Sequence, residues 1–333
     1  MLDTNIQLHN IAELFPAETG GLGLCRIPLA LRAQLNDSAQ ANAIQGTGCE
    51  LRFNLLSESV RIVLEMTERP AIAEVYNGPF LTSWHAIDTS PTEIIVTQPE
   101  RLAQLCDVAR ERGLPFDPRL MRVVLPWRPP VRIHAVEGKF APPRAEQAPA
   151  TRYLTYGSSI THGNSSIGAT GMWARRVAQR LGVDFINLGF GGGAHCEAVL
   201  ADYIAARDDW DFATLELGIN MVTWLDLDAF AARVDDFIRT IAEAHHETWI
   251  FCIDMFPFFM DFDPASTINH AYRAVVQETV ARLDLPKLVH IDGRELLRNP
   301  AGLSADLLHP APAGMEEIAL NLAERMRAFL RQD

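Results

Sequence analysis

Tyr153–Gly163 reads YLTYGSSITHG. A short apolar run passes directly into a glycine, two serines, a histidine and a second glycine. The segment has the form of a strand ending in a polar turn. Parallel sheets place their chemistry at such carboxyl ends. Whether one serine is a nucleophile depends on what the rest of the chain supplies: a base, a carboxylate to orient it, and donors for an oxyanion.

Downstream, strand-like and helix-like segments alternate. The expected strands are Arg152–Tyr156, Asp184–Leu188, Phe212–Leu217, Trp249–Phe256 and Lys287–Ile291. Between them, apolar residues recur at helical steps: Trp173, Val177 and Leu181; then Phe230, Val234, Phe237, Ile238 and Ile241; then Ile268, Tyr272, Val276 and Val280; finally Met315, Ile318, Leu322 and Met326. This alternation predicts an α/β unit with a parallel sheet covered on both faces.

Upstream, to about Gly138, the period is two. Leu51, Phe53 and Leu55 alternate with polar residues, as do Val60, Ile62, Leu64 and Met66. Further strands are expected at Ala73–Tyr76, Glu93–Gln98, Arg122–Pro126 and Val131–Val136, with one helix near Pro99–Arg112. Short alternating segments separated by Gly, Pro and Asn predict an all-β antiparallel sandwich. The Pro- and Ala-rich stretch GKFAPPRAEQAPATR then reads as a linker or surface strap. Two domains are expected, 1–145 and 146–333, in keeping with a length of 333 residues.

The composition, 48% hydrophobic and 21% charged, is that of a globular chain. A net charge of −13 argues against nucleic acid and anionic membranes as partners. Cys25, Cys49, Cys106, Cys196 and Cys252 are scattered and lack C-x-x-C spacing, which suits reduced thiols better than disulfides or zinc. The first residues lack the basic start and apolar run of a signal peptide, and no apolar stretch is long enough to span a bilayer. A cytoplasmic location, no metal and no cofactor are the resulting expectations.

The residues after the strands carry the functional pattern. Gly157-Ser158-Ser159 follows the first, Gly189-Phe190-Gly191-Gly192-Gly193 the second, Gly218-Ile219-Asn220 the third, and Asp306-Leu307-Leu308-His309 lies beyond the fifth. A serine can attack, a histidine can take its proton, and a carboxylate can hold the imidazole. Amides of a glycine turn and an asparagine side chain can receive a developing oxyanion. Residues three apart in one turn can share a side, and Pro310 ends the turn at His309. The glycine run lacks the spacing of a phosphate cradle, and Thr161 stands where a G-x-S-x-G elbow needs glycine.

Together these blocks resemble the SGNH (GDSL-like) hydrolase family, over residues 150–333. The resemblance implies a flavodoxin-like sheet, Ser159 as nucleophile, His309 as base and Asp306 as its orienter. It also implies an oxyanion hole from the Ser159 and Gly192 amides and the Asn220 side chain. Ser158 departs from the family pattern, standing where aspartate is usual. The first half is similar to the jelly-roll domain that precedes the hydrolase in some carbohydrate esterases and acyltransferases.

Several other features have structural readings of equal or greater weight. His162 could line the site or stabilise its turn. Phe256, in the aromatic run Met255–Phe262, and Trp224 are divided between core and substrate pocket. His195 and Cys196 read as a buried pair, and Asn164-Ser165-Ser166 as a sequon without meaning in the cytoplasm. The expected activity is a serine esterase on small, chiefly acetyl, esters, with an acylated sugar as candidate substrate. Its rivals are an acyltransferase, a thioesterase and a silent carbohydrate-binding protein.

Overall fold

The computed structural model describes residues 2–331. Its first half holds two antiparallel sheets. One runs in the order Gln7–His9, Glu50–Leu55, Leu120–Val124, Ala71–Asn77, Phe80–Ile87, with Phe140–Ala141 also on Glu50–Leu55. The other runs Glu13–Pro16, Leu22–Cys25, Val131–Glu137, Ser59–Met66, Thr92–Thr97. Alternate residues turn inward, so that Leu51, Phe53 and Leu55 meet Val60, Ile62 and Leu64 in one apolar core. The expected helix is present at Leu102–Arg112.

The second half is a five-stranded parallel sheet. Its order is Asp184–Gly189, Arg152–Gly157, Phe212–Glu216, Trp249–Ile253, Leu288–Ile291, the flavodoxin-like arrangement. Period-two alternation divides the strands between two cores. Leu154, Ile186, Ala213 and Ile250 face helices Ala198–Ala205, Leu227–Ala244 and Ile268–Leu283. Tyr153, Phe185, Phe212 and Phe251 face helices Trp173–Leu181 and Pro312–Leu330. The order reverses between the strands ending at Gly157 and Glu216, so the crevice forms beside Ser158 and Ser159.

The two halves share buried structure. Helix Asp37–Ala43, capped by the Asn36 side chain on the Ala39 amide, sends Ala39 and Ala43 into the parallel sheet's core with Cys25, Ile27 and Leu35. The Arg26 guanidinium, also buried, donates to the carbonyls of Asn187 at 2.7 Å, Gly189 at 2.8 Å and Asn42 at 2.9 Å. Burial lowers its pKa to about 10, so it stays charged at neutral pH. Elsewhere Arg52 grips Asp184 with two bonds of 2.7 Å, and Glu50 gathers Arg52, Arg122 and Arg175. Burial alone would raise the Glu50 pKa, but the arginines hold it well below the carboxylate range. Losing one partner of such a buried pair costs about 3–5 kcal/mol.

Candidate active site

The first parallel strand ends at Gly157, where only a glycine fits: a Cβ there would stand 2.3 Å from Thr161 Oγ1 and 2.6 Å from Glu216 Oε2. Ser158 caps the single turn Ser159–His162, its Oγ accepting from the Ile160 amide at 3.1 Å. Ser159 is the first residue inside that turn, and its Oγ lies 2.8 Å from His309 Nε2.

His309 reaches this position from a loop between Leu303 and Pro310, which bridge to each other as an isolated antiparallel pair. Asp306 Oδ2 lies 2.7 Å from His309 Nδ1. Its other oxygen accepts the Leu308 amide at 2.9 Å and the His309 amide at 3.0 Å. The side chains thus share one side through an aspartate-centred turn, with Leu307 at a φ of 51°. Burial pushes the Asp306 carboxyl up, but the bonds from His309 and Leu308 outweigh it and hold the carboxyl at about 2. Nδ1–H therefore faces a carboxylate, and Nε2 keeps its lone pair for Ser159.

The second strand's glycines form a turn in which Gly193 N–H donates to Phe190 C=O at 2.9 Å and Gly192 takes a φ of 67°. A Cβ on Gly191 would lie 3.5 Å from Ser159 Cβ, so the turn rests beside Ser159. The Ser159 and Gly192 amides donate to no group among the described residues. Asn220 Oδ1 accepts from the Ala194 amide at 3.2 Å, which fixes the side chain at the glycine turn with its Nδ2 as the remaining donor. Asn220 C=O accepts from Trp224 Nε1 at 2.7 Å. The Trp224 ring is half exposed, 4.8 Å from the His195 ring and 5.6 Å from the Arg233 guanidinium.

For His162 and Phe256, each divided between pocket and structural readings, the structure shows the structural one, against the pocket expectation. His162 is buried, one ring nitrogen at the Gly189 carbonyl and the other at the Gln45 amide, both at 2.9 Å. It braces the turn and has no free edge for substrate. Burial, with Arg26 nearby, lowers its pKa to about 3. Phe256 is also buried, against Trp173 in the core beneath the last helix. His195 is half-buried against Trp224, whereas Cys196 is buried as expected.

Sequence reasoning passed over Glu216, Asn164, Arg128 and Asn42. Glu216 receives Ser158 and Thr161, and its signal was a lone carboxylate in the apolar strand FATLE. Asn164 Nδ2 lies 3.3 Å from His309 Nε2, and Arg128 Nη1 donates to Asn164 Oδ1 at 2.7 Å. Asn42 donates from Nδ2 to Gly191 C=O at 2.9 Å. Asn42 and Arg128 come from the first half, and nothing in their local sequence announces a site.

Residues 155–317 match the GDSL-like Lipase/Acylhydrolase family. No curated protein matches the chain by sequence. Among solved structures, the salicylyl-acyltransferase SsfX3 from a tetracycline biosynthetic pathway aligns with a TM-score of 0.81 at 19% identity, covering 98% of this chain and 95% of that one. A Bacteroides ovatus protein described as a GDSL-like lipase aligns at 0.72 and 16%, covering 98% of each chain. A family two carbohydrate esterase from Clostridium thermocellum, solved with cellohexaose, aligns at 0.63 and 13%, covering 98% of this chain and 99% of that one. These likenesses span both halves and establish the fold.

Proposed function

The second half of this chain carries a GDSL-like lipase/acylhydrolase domain, and on that premise we propose that the protein is a serine esterase acting on small acyl esters, chiefly acetyl esters of carbohydrates. The observation that carries the reading is the continuous relay Asp306–His309–Ser159, with links of 2.7 Å and 2.8 Å.

In this reading His309 Nε2 takes the Ser159 hydroxyl proton as Oγ attacks the ester carbonyl. The oxyanion forms against the Ser159 and Gly192 amides and Asn220 Nδ2, each such donor being worth about 2.7–4 kcal/mol in the transition state. His309 then protonates the departing alcohol, leaving an acyl-Ser159. A water molecule, deprotonated by the same nitrogen, releases the acid and frees the serine. Asp306 stays ionised throughout and steadies the imidazolium.

A small acyl group is favoured because the Gly191 turn rests beside Ser159 and is itself backed by helix Asp37–Ala43, so it has little room to yield. The half-exposed Trp224 offers a flat apolar face at the mouth, on which a sugar or another ring can stack. The carbohydrate esterases among the fold relatives point to the same substrate class. An acyltransferase would use the same steps with an alcohol in place of water. The test is a panel of acetyl, longer-acyl and acetylated-sugar esters, run with and without alcohol acceptors. Fast acetyl release unaffected by acceptor supports hydrolysis. Acyl transfer to the acceptor at the expense of free acid supports the transferase, and no turnover of any ester removes the proposal.

A further inference from the structure

Glu216 ends the third parallel strand, directly beneath the turn that carries Ser159. Its Oε2 accepts three hydrogen bonds: from the Ser158 amide at 2.7 Å, from Ser158 Oγ at 2.7 Å and from Thr161 Oγ1 at 3.1 Å. These donors lie on both sides of Ser159. Ser158 Oγ in turn accepts from the Ile160 amide, so one oxygen atom organises the whole turn. Among the described residues Glu216 Oε1 is buried with no hydrogen-bond partner, an arrangement that costs stability. Gly157 has been left without a side chain where a Cβ would strike Oε2.

We infer that Glu216 is a positioning residue for the nucleophile: by holding Ser158 and Thr161 on a single oxygen it sets where Ser159 Oγ and the Ser159 amide point. The inference rests on the esterase reading above. Burial raises the Glu216 carboxyl above its usual range, against the pull of its serine and threonine donors and of His309. Among the described residues no arginine or lysine is hydrogen-bonded to it, so it does not owe its place to an ion pair. A purely structural acid would be better replaced by an apolar residue. Glu216 instead spends its bonds on Ser158 and Thr161, one before and one after the attacking serine in the same turn.

The geometry specifies a test by exchange. Ser158→Asp would bring a second carboxyl into contact with Glu216, and the two would repel. Ser158→Asp with Glu216→Gln would restore one carboxyl and one amide across the same gap. Glu216→Ala is expected to lower kcat roughly 30-fold with KM changed less than about twofold, since misplacing a nucleophile acts on the chemical step. Glu216→Gln keeps an acceptor oxygen and should stay within about threefold of wild type, while Ser158→Asp alone should fall roughly tenfold and the double variant recover most of that loss. Melting curves accompany each variant, and if Glu216→Ala does not fold, the Gln variant and the exchange pair decide. Wild-type kcat in a folded Glu216→Ala, or a double variant no better than Ser158→Asp, overturns the inference. Ser159→Ala is assayed beside them. Activity surviving there defeats the esterase reading itself, whereas its loss with Glu216 variants unaffected removes only the Glu216 role.

Discussion

Asn164 Nδ2 stands 3.3 Å from His309 Nε2, the nitrogen that Ser159 Oγ meets at 2.8 Å. Two donors thus converge on one lone pair, and Arg128 Nη1 fixes the asparagine from behind at 2.7 Å. Arg128 belongs to the amino-terminal half, so the His309 ring is steadied from across the molecule. Arg128→Ala and Asn164→Ala should each lower kcat by roughly tenfold through a loosened imidazole, with a smaller effect on KM. Steady-state kinetics on the best ester of the panel reads this, and unchanged kcat in both variants would mean that Asp306 holds the ring alone.

Asn220 has its Oδ1 engaged by the Ala194 amide, leaving Nδ2 to donate. Asn220→Ala should therefore cost two to three decades in kcat at nearly constant KM, about 2.7–4 kcal/mol of transition-state stabilisation. A large rise in KM at normal kcat would make Asn220 a ground-state contact.

Most of the second half was legible because strand and helix periods alternate, and because three of the four site blocks sit at strand ends, the fourth lying in the loop before the last helix. The spacing of Asp306 and His309 allowed a shared side, and their pairing was what the SGNH resemblance implied. What escaped was everything that depends on long-range approach. The strands Gln7–His9, Glu13–Pro16 and Leu22–Cys25 are three or four residues long, too short to display a period. Phe80–Ile87 alternates weakly because it is an edge strand with most of its residues open to solvent. Helix Asp37–Ala43 packs through alanines, which give no amphipathic stripe, yet the Ala39 amide lies only 2.4 Å from where a Gly193 Cβ would stand. Sequence proximity left His162 and Phe256 divided between pocket and structural roles. Burial decides for the structural roles, and burial is set by what folds over them.

The buried histidines make the fold acid-sensitive. His9 is held at about 4 by burial and Arg52, against Asp184 and Glu50, while His162 is held at about 3. Both values are depressed from an ordinary histidine near 6.5, so each neutral ring contributes stability that is present above about pH 6.5 and lost as the pH falls through the folded values. The melting temperature should decline from about pH 6.5 toward pH 4, and His162→Gln should flatten the decline. An identical slope in the variant would contradict the assignment.

The cores of the two halves are joined, and this bears on dissection. A fragment of residues 146–333 would lose Cys25, Ile27, Leu35, Ala39 and Ala43 from its core, Arg26 from two strand carbonyls and Arg52 from Asp184. Orphaning one buried ion-pair partner costs about 3–5 kcal/mol, a large share of the roughly 5–15 kcal/mol that stabilises a domain. The fragment should show no cooperative melt by circular dichroism. A cooperatively folded fragment that cleaves an acetyl ester at the full-length rate would show that the halves are independent.

The central claim is that Ser159, and not its neighbour Ser158, is the attacking atom's residue. Labelling with a fluorophosphonate, read by intact mass and peptide mapping, tests it directly. The account predicts one adduct per chain, located on Ser159, absent from Ser159→Ala and from His309→Ala, and retained in Ser158→Ala. An adduct on Ser158, or labelling that persists in folded Ser159→Ala, would contradict it.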